Sequence, residues 1–341
     1  MKILDPTQIA DWDERVYALP GASFFHGSAW ARVLKQSYGF TPVYFAKAQG
    51  CMPAVIALME VDSFLTGKRA VSLPFTDYCD PLVPHAEVSR VLFEAIVQEG
   101  KKRGWKYIEL RGGSELLGDG PASEWFYRHR LNLAPGAESL FKTLRDSTRR
   151  NIKKAEKEGV EVRFETTPEA LREFCRLNCL TRREHGLPPQ PWRFFENLHE
   201  QILARGMGTV ALAFYQGNAV AANVYLHANG EAIYKYGASD KTYQNLRAAN
   251  LVMWEAIKRY ADEGYKSLCF GRTEPGNEGL RQFKAGWGAD EQVINYYRYD
   301  VAANVFVSAG KAVSARANHV FSMLPVPALK AIGGLLYRHM G

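Results

Sequence analysis

The sequence predicts an α/β chain of the mixed α+β kind, made from one unit used twice. Two repeated patterns and the chain length carry that expectation. The stretches YFAKAQGCMPAVIALME (Tyr44–Glu60) and ALAFYQGNAVAANVYLH (Ala211–His227) each run apolar, break at Gln-Gly and run apolar again, the pattern of a β-hairpin. Downstream, FEAIVQEGKKRGWKYIELRG (Phe93–Gly112) resembles WEAIKRYADEGYKSLCFGR (Trp254–Arg272). Gln49 and Gln216 stand 167 residues apart, Phe93 and Trp254 161, so order and spacing are both kept. A chain of 341 residues has room for two such units of ordinary domain size.

Taken in order, each copy is expected to hold a hairpin and then a helix opening at aromatic-Glu-Ala-Ile. A glycine (Gly104, Gly264) caps that helix, and a strand begins at aromatic-Lys. The expected domains are residues 1–137, residues 138–300 and a basic amphipathic helical tail, 301–341.

Composition is that of a folded protein, 47% hydrophobic and 23% charged, with no bias toward disorder. Net charge is +7, which favours anionic partners without choosing among phosphates, nucleic acid and an acidic membrane surface. Five cysteines (Cys51, Cys79, Cys175, Cys179, Cys269) form no Cys-x-x-Cys pair and read as small buried hydrophobes in a reducing compartment. The opening MKILDPTQIADWDERV carries acids and a proline where a signal peptide would be apolar. No apolar run approaches a bilayer span, so the expected location is cytoplasmic.

The excess charge is concentrated. From Lys142 to Lys157 there are seven basic residues and two acids. On a helical wheel Arg145, Arg149, Arg150, Lys153, Lys154 and Lys157 fill one half, while Leu144, Ile152 and Ala155 lie on the other. Asp146 has helical spacing to Arg149 and Arg150, and Gly159 closes the helix before the strand VEVRF. Two readings stand: a solvated surface helix, or a phosphate-binding face.

The order RRNIKKAEKEGVEV followed by a strand resembles the start of the second domain in the FemAB-like transferases of the GNAT acyltransferase superfamily. FFHGSAWARVLKQSYGFTPVYF around Trp30 and GKRAVSLPFTDYCDPL (Gly67–Leu82) are similar to that family's N-terminal blocks. YKYGASDKTYQNLRAANLVMWEAI and LCFGRTEPGNEGLRQFKAGWGAD resemble its C-terminal motif. The resemblance covers roughly residues 22–300 and is nearest to members associated with exopolysaccharide and PEP-CTERM gene clusters. It implies two tandem GNAT-like domains from an internal duplication. The family's coiled-coil arm has no room between Pro168 and Gly206.

The resemblance further implies an N-acyltransferase that joins an activated acyl or aminoacyl donor to an amine of a cell-envelope glycan or peptidoglycan precursor. Lys284, with Phe283 beside it, matches the family's phenylalanine-lysine pair, and a cation there would favour the tetrahedral oxyanion. The alternative is a Lys merely exposed near a strand. Arg272 follows a buried-looking strand, where its guanidinium could grip phosphate or serve a structural ion pair. Tyr234 and Tyr236 alternate along a strand and are expected to share one face, for the acceptor or for the core. Lys35 and Arg183 match positions of phosphate contacts, and Arg149, Arg150 and Lys153 are the basic-helix candidates.

No histidine stands at convincing spacing from a carboxylate, and no metal motif, Walker A sequence or catalytic triad is legible. No tightly bound cofactor is expected. The donor is aminoacyl-tRNA or acyl-CoA. Against ordinary acetyl-CoA use, the glycine-rich turn that cradles the coenzyme A pyrophosphate is missing. LRGGSELLGDG (Leu110–Gly120) has no clear helix after it, and QNLRAANLVMWEAI lacks the glycines.

The expected partners are a nucleotide- or lipid-linked glycan precursor and tRNA. A rival class is a non-catalytic protein that holds RNA or a phosphoglycan on its basic face. The tail from Val301 is acid-free and reads as two short helices broken at Pro325 and Pro327. It either docks on the first domain or lies against the inner face of the cytoplasmic membrane.

Overall fold

Alternating β and α elements run through the whole chain in a computed structural model that describes residues 1–49, 52–113, 120–308 and 320–341. The elements divide into two units. One is Met1–Phe126, Val293–Ala312 and Leu335–Gly341; the other is Tyr127–Gln292 and Val313–Gly334. The division is not linear in sequence, because the first unit takes strands from residues 293–312 and the second takes most of the helix Val326–Leu336.

The first unit begins with β1 (Lys2–Leu4), α1 (Trp12–Tyr17), α2 (Ser28–Tyr38), β2 (Thr41–Pro42) and the hairpin β3 (Tyr44–Gln49) and β4 (Met52–Ile56). β5 (Met59–Val61), β6 (Arg69–Val71), α3 (Ala86–Arg103) and β7 (Tyr107–Arg111) follow. β1, β3 and β4 form one small sheet; β2, β5, β6 and β7 are neighbouring strands, in that order, of a larger one. α3 starts seven residues before Phe93, so aromatic-Glu-Ala-Ile lies inside the helix and not at its start. Gly104 ends α3 in the left-handed region. The core clusters Phe45, Ile56, Leu92, Ile96, Trp105 and Ile108.

The second unit comprises β8 (Glu124–Asn132), α4 (Gly136–Thr143), α5 (Asp146–Lys157), β9 (Glu161–Glu165), α6 (Pro168–Glu184) and α7 (Trp192–Gln201). It continues with β10 (Gly208–Tyr215), β11 (Asn218–Ala228), β12 (Glu231–Ser239), α8 (Ala248–Asp262), β13 (Ser267–Thr273) and α9 (Glu278–Ala285). Its strands run β8-β13-β12-β11-β10-β9, antiparallel except for β12 with β13. Gln216 and Gly217, both at positive φ, make the tight β10–β11 turn that the Gln-Gly pattern predicts. Gly50, at the matching turn, lies outside the described residues, as do Cys51 and positions 114–119 of the glycine-rich stretch LRGGSELLGDG.

β14 (Asp290–Asp300) leaves the second unit and pairs antiparallel with β7, joined by β15 (Val305–Val307). The last helix, α10 (Val326–Leu336), begins just after Pro325 and carries Pro327 in its first turn. Helical residues 320–323 end before Pro325 and α10 starts after it, so two helices are parted there as the sequence predicts, while Pro327 is accommodated in the first turn, which needs no N–H donors. Lys311 and Arg316 lie outside the described residues. Between Pro168 and Gly206 stand α6, α7 and a short 3-10 turn (Leu203–Arg205), without a coiled-coil arm.

Candidate functional site

The second unit's sheet opens between β12 and β13. Their parallel ladder holds only at Glu231–Ser267, Ala232–Leu268 and Ile233–Cys269, although β12 continues to Ser239 and β13 to Thr273. Two irregularities cause the divergence. On β12 the register jumps from Tyr234–Tyr225 to Tyr236–Val224, so Lys235 is an extra residue in the strand. On β13 the register jumps from Cys269–Arg130 to Arg272–Arg128, and Gly271 takes a φ of +68° that suits glycine.

The β12 bulge overturns the expectation that Tyr234 and Tyr236 share a face. One extra residue between them reverses the alternation. Tyr234 packs into the core formed by α4, α5 and α8, its ring 5.8 Å from that of Tyr225. Tyr236 turns to the other side, among Phe174, Phe194 and Phe195 of α6 and α7. Burial pushes the Tyr234 hydroxyl up to about 12, so it is a neutral donor. That hydroxyl lies over Gly237: a Cβ added there would stand 1.7 Å from it.

The β13 bulge is held from α9. Lys284 is 2% exposed, and its Nζ donates to the carbonyl oxygens of Gly271 at 3.1 Å and Arg272 at 2.9 Å. It is therefore not the exposed surface Lys of the alternative reading. Phe283 packs edge-on against Trp287 with ring centroids 5.8 Å apart. Arg272 is half-buried. On β8, within the same register jump, His129 places Nε2 3.0 Å from Glu291 Oε2. Glu291 receives both Nε and NH2 of Arg281 at 2.7 Å, and that guanidinium sits 4.0 Å over the Tyr127 ring. Burial, reinforced by the charge of Lys284, holds His129 below the usual histidine range.

The basic helix meets this region at its start. The Arg145 N–H donates to the Gly286 carbonyl at 3.1 Å, two residues beyond Lys284, and α5 packs on α8. Ile152 and Ala155 are buried as the wheel requires, and Arg150 and Lys153 are exposed. Arg149 is committed to the Lys142 carbonyl at 2.9 Å and to Asp146. Arg183 is exposed at the end of α6. Lys35 belongs to the first unit, where its Nζ pairs with Asp5 at 2.8 Å. Thus Lys284, Phe283, Arg272, Tyr234 and the start of α5 lie in one neighbourhood of the second unit; Tyr236 faces away.

Sequence reading missed Lys235, Gly237, His129 and Glu291. Gly237, a glycine inside a strand directly after Tyr236, was the one local signal of the bulge. At the start of α8, Arg247 holds φ +60°, a left-handed position that favours glycine. Among the described residues no three His, Cys, Asp or Glu are grouped to hold a metal, and no helix is long and apolar enough to cross a membrane.

Residues 142–285 match the acetyltransferase (GNAT) domain family. The chain is similar to the crystal structure of FemX, with a TM-score of 0.67 at 13% identity, covering 86% of this chain and 97% of that one. It is also similar to L-PGS from Bacillus licheniformis (TM-score 0.55, 12% identity, 94% and 98% covered). A tandem GNAT protein from the clavulanic acid biosynthesis pathway gives a TM-score of 0.56 at 11% identity, covering 91% and 98%. No curated protein matches the sequence. The chain therefore shares the tandem GNAT fold of these structures, and the residues that match the GNAT domain lie in its second unit.

Proposed function

We propose that this tandem GNAT protein transfers an aminoacyl or acyl group from an activated donor to an amine of a cell-envelope glycan or peptidoglycan precursor. The opening between β12 and β13, with Lys284 held at its β13 margin, is the observation that carries the reading. An extended donor inserted there would meet strand backbone on both sides, with a cation close by to stabilise a developing oxyanion. FemX and the tandem GNAT protein share the fold, and the matched GNAT domain ends one residue after Lys284.

In this reading Lys284 and Phe283 act at the reacting carbonyl, with Tyr234 behind the bulge as a neutral hydrogen-bond donor. The exposed Arg150 and Lys153 attract the anionic donor toward α9. Arg272 and Arg183 contact phosphate on donor or acceptor, and Lys35 serves the acceptor once drawn from its pair with Asp5. Aminoacyl-tRNA is preferred to coenzyme A because Arg247 puts a long side chain where a pyrophosphate-cradling turn uses glycine. The acetyltransferase description of the matched family favours the second reading, an acyl-CoA-dependent N-acyltransferase acting on an exopolysaccharide amino sugar.

A thermal-shift panel of coenzyme A, acetyl-CoA, a UDP-linked muramyl peptide and charged tRNA separates them, since a ligand that binds only the folded state raises its stability. Stabilisation by the UDP-peptide or tRNA and not by coenzyme A supports the first reading. Stabilisation by coenzyme A alone replaces it with the second.

A further inference from the structure

A cavity lies among α6, the start of α7 and α10. It measures about 390 Å³ and runs into a smaller hollow of about 190 Å³ floored by Phe195, Pro189 and Pro191. This is within the size range of small-molecule sites. α6 supplies one wall with Arg172, Cys175, Arg176 and Cys179, which share a face at helical spacing. Trp192, the first residue of α7, supplies the second, and Val326 and Lys330 of α10 the third.

The third wall is fixed in place. Leu329, beside Lys330, is 0% exposed. Gly333, one turn further on, packs so closely that an added Cβ would stand 2.1 Å from the Pro189 carbonyl oxygen. Any side chain at Gly333 would lift α10 away from the cavity.

The chemistry of the walls is one-sided. Three cations line the space and no carboxylate does. Glu173 pairs with Arg176 at 3.0 Å, and Arg176 also donates to the Ala219 carbonyl at 2.6 Å. Among the described residues Arg172 and Lys330 have no ion-pair partner; the Arg172 guanidinium lies 4.7 Å over the Trp192 ring, which fixes it at the cavity edge. Burial pushes the thiols of Cys175 and Cys179 up, so both stay neutral and add apolar wall, not countercharge. Leu180, Trp192 and Phe195 complete an apolar lining beside the cations.

We propose that this cavity binds an anionic amphiphile, its phosphate or carboxylate head between Arg172 and Lys330 and its apolar body along Trp192 and Leu180. Such a head can belong to a soluble metabolite or to a lipid at a membrane surface. Val320 and Met323, 59% and 71% exposed in the segment that leads into α10, lie on the same stretch of chain.

The test is isothermal titration of the full chain with dodecyl phosphate below its micelle concentration, beside dodecyl maltoside and inorganic phosphate. Saturable binding of dodecyl phosphate is expected, stronger than that of either control and weakened roughly tenfold by Lys330→Gln, the loss of one charge-assisted contact. Gly333→Leu, which displaces α10, should abolish it while the far-ultraviolet spectrum stays unchanged. Equal binding of dodecyl maltoside, equal binding of inorganic phosphate, or indifference to Lys330→Gln would each overturn the proposal. Flotation with phosphatidylglycerol vesicles but not phosphatidylcholine vesicles, lost in Lys330→Gln, identifies a lipid head group as the source. Binding of dodecyl phosphate without flotation identifies a soluble one.

Discussion

Lys284 Nζ stands 2.9 Å from the carbonyl oxygen of Arg272, and with a second bond to Gly271 it ties α9 to the bulge in β13. The same amine that would face a reacting carbonyl is thus a structural donor in the resting protein. Lys284→Gln keeps a hydrogen-bond donor and removes the charge. We expect it to abolish transfer while costing about 1.5–3 kcal/mol of stability, the range for hydrogen bonds made by charged groups. Urea unfolding measured beside product formation checks both numbers; wild-type transfer would remove Lys284 from the chemistry.

The hydroxyl of Tyr234 and the bare Cα of Gly237 form a second constraint. Gly237→Ala should destabilise by about 1–3 kcal/mol, because the new methyl meets the hydroxyl in a packed site. Tyr234→Phe in the same chain should recover part of that loss and not all, since the ring carbon beneath the hydroxyl is itself 2.7 Å from the Cβ position. A double-mutant cycle by thermal unfolding reads the coupling. Additive effects would mean that the contact does not exist.

Arg150 and Lys153 are exposed on α5, so Arg150→Glu with Lys153→Glu should leave stability within about 0.5 kcal/mol of wild type. The same pair should weaken tRNA binding and flatten its dependence on salt. Filter binding across a salt series makes that comparison. An unchanged slope assigns α5 to the solvated surface.

Much of this arrangement is legible in the sequence where periodicity and turn chemistry decide it. The basic half-cylinder of α5, the Gln216-Gly217 turn and the glycine after each long helix are local signals, and local forces are enough to produce them. Lys235 and Gly271 were not legible, because a bulge is one residue of slippage between partners distant in sequence. The face of Tyr236 followed from that slip and was misread with it. The return of β14 to β7 is likewise a long-range pairing that strand order in the sequence does not encode. His129 looked isolated because its carboxylate partner, Glu291, stands 162 residues later.

Acid should find the buried histidines. Burial and Lys284 depress His129, and burial depresses His26, whose Nε2 donates to the Asp80 carbonyl at 2.8 Å. Each is neutral in the folded chain and takes up a proton near pH 6.5 once unfolded. Their contribution is therefore fully present above about pH 6.5 and is lost as pH falls below it toward the folded values. Thermal unfolding at pH 7.5, 6.5 and 5.5 should give a Tm that is flat and then falls, with a shallower fall in His129→Gln. A Tm that rises on acidification contradicts the depressed values.

The central claim is that the second unit is a working acyl-transfer site. The most direct measurement incubates the purified chain with bulk tRNA charged with radiolabelled amino acids and a UDP-linked muramyl peptide, then follows label into the peptide. The account predicts label transferred by wild type and by Tyr236→Phe, and none by Lys284→Gln. Transfer that survives Lys284→Gln would contradict the assignment of the site. Label that never leaves the tRNA, while acetyl-CoA acylates an amino sugar, would contradict the donor.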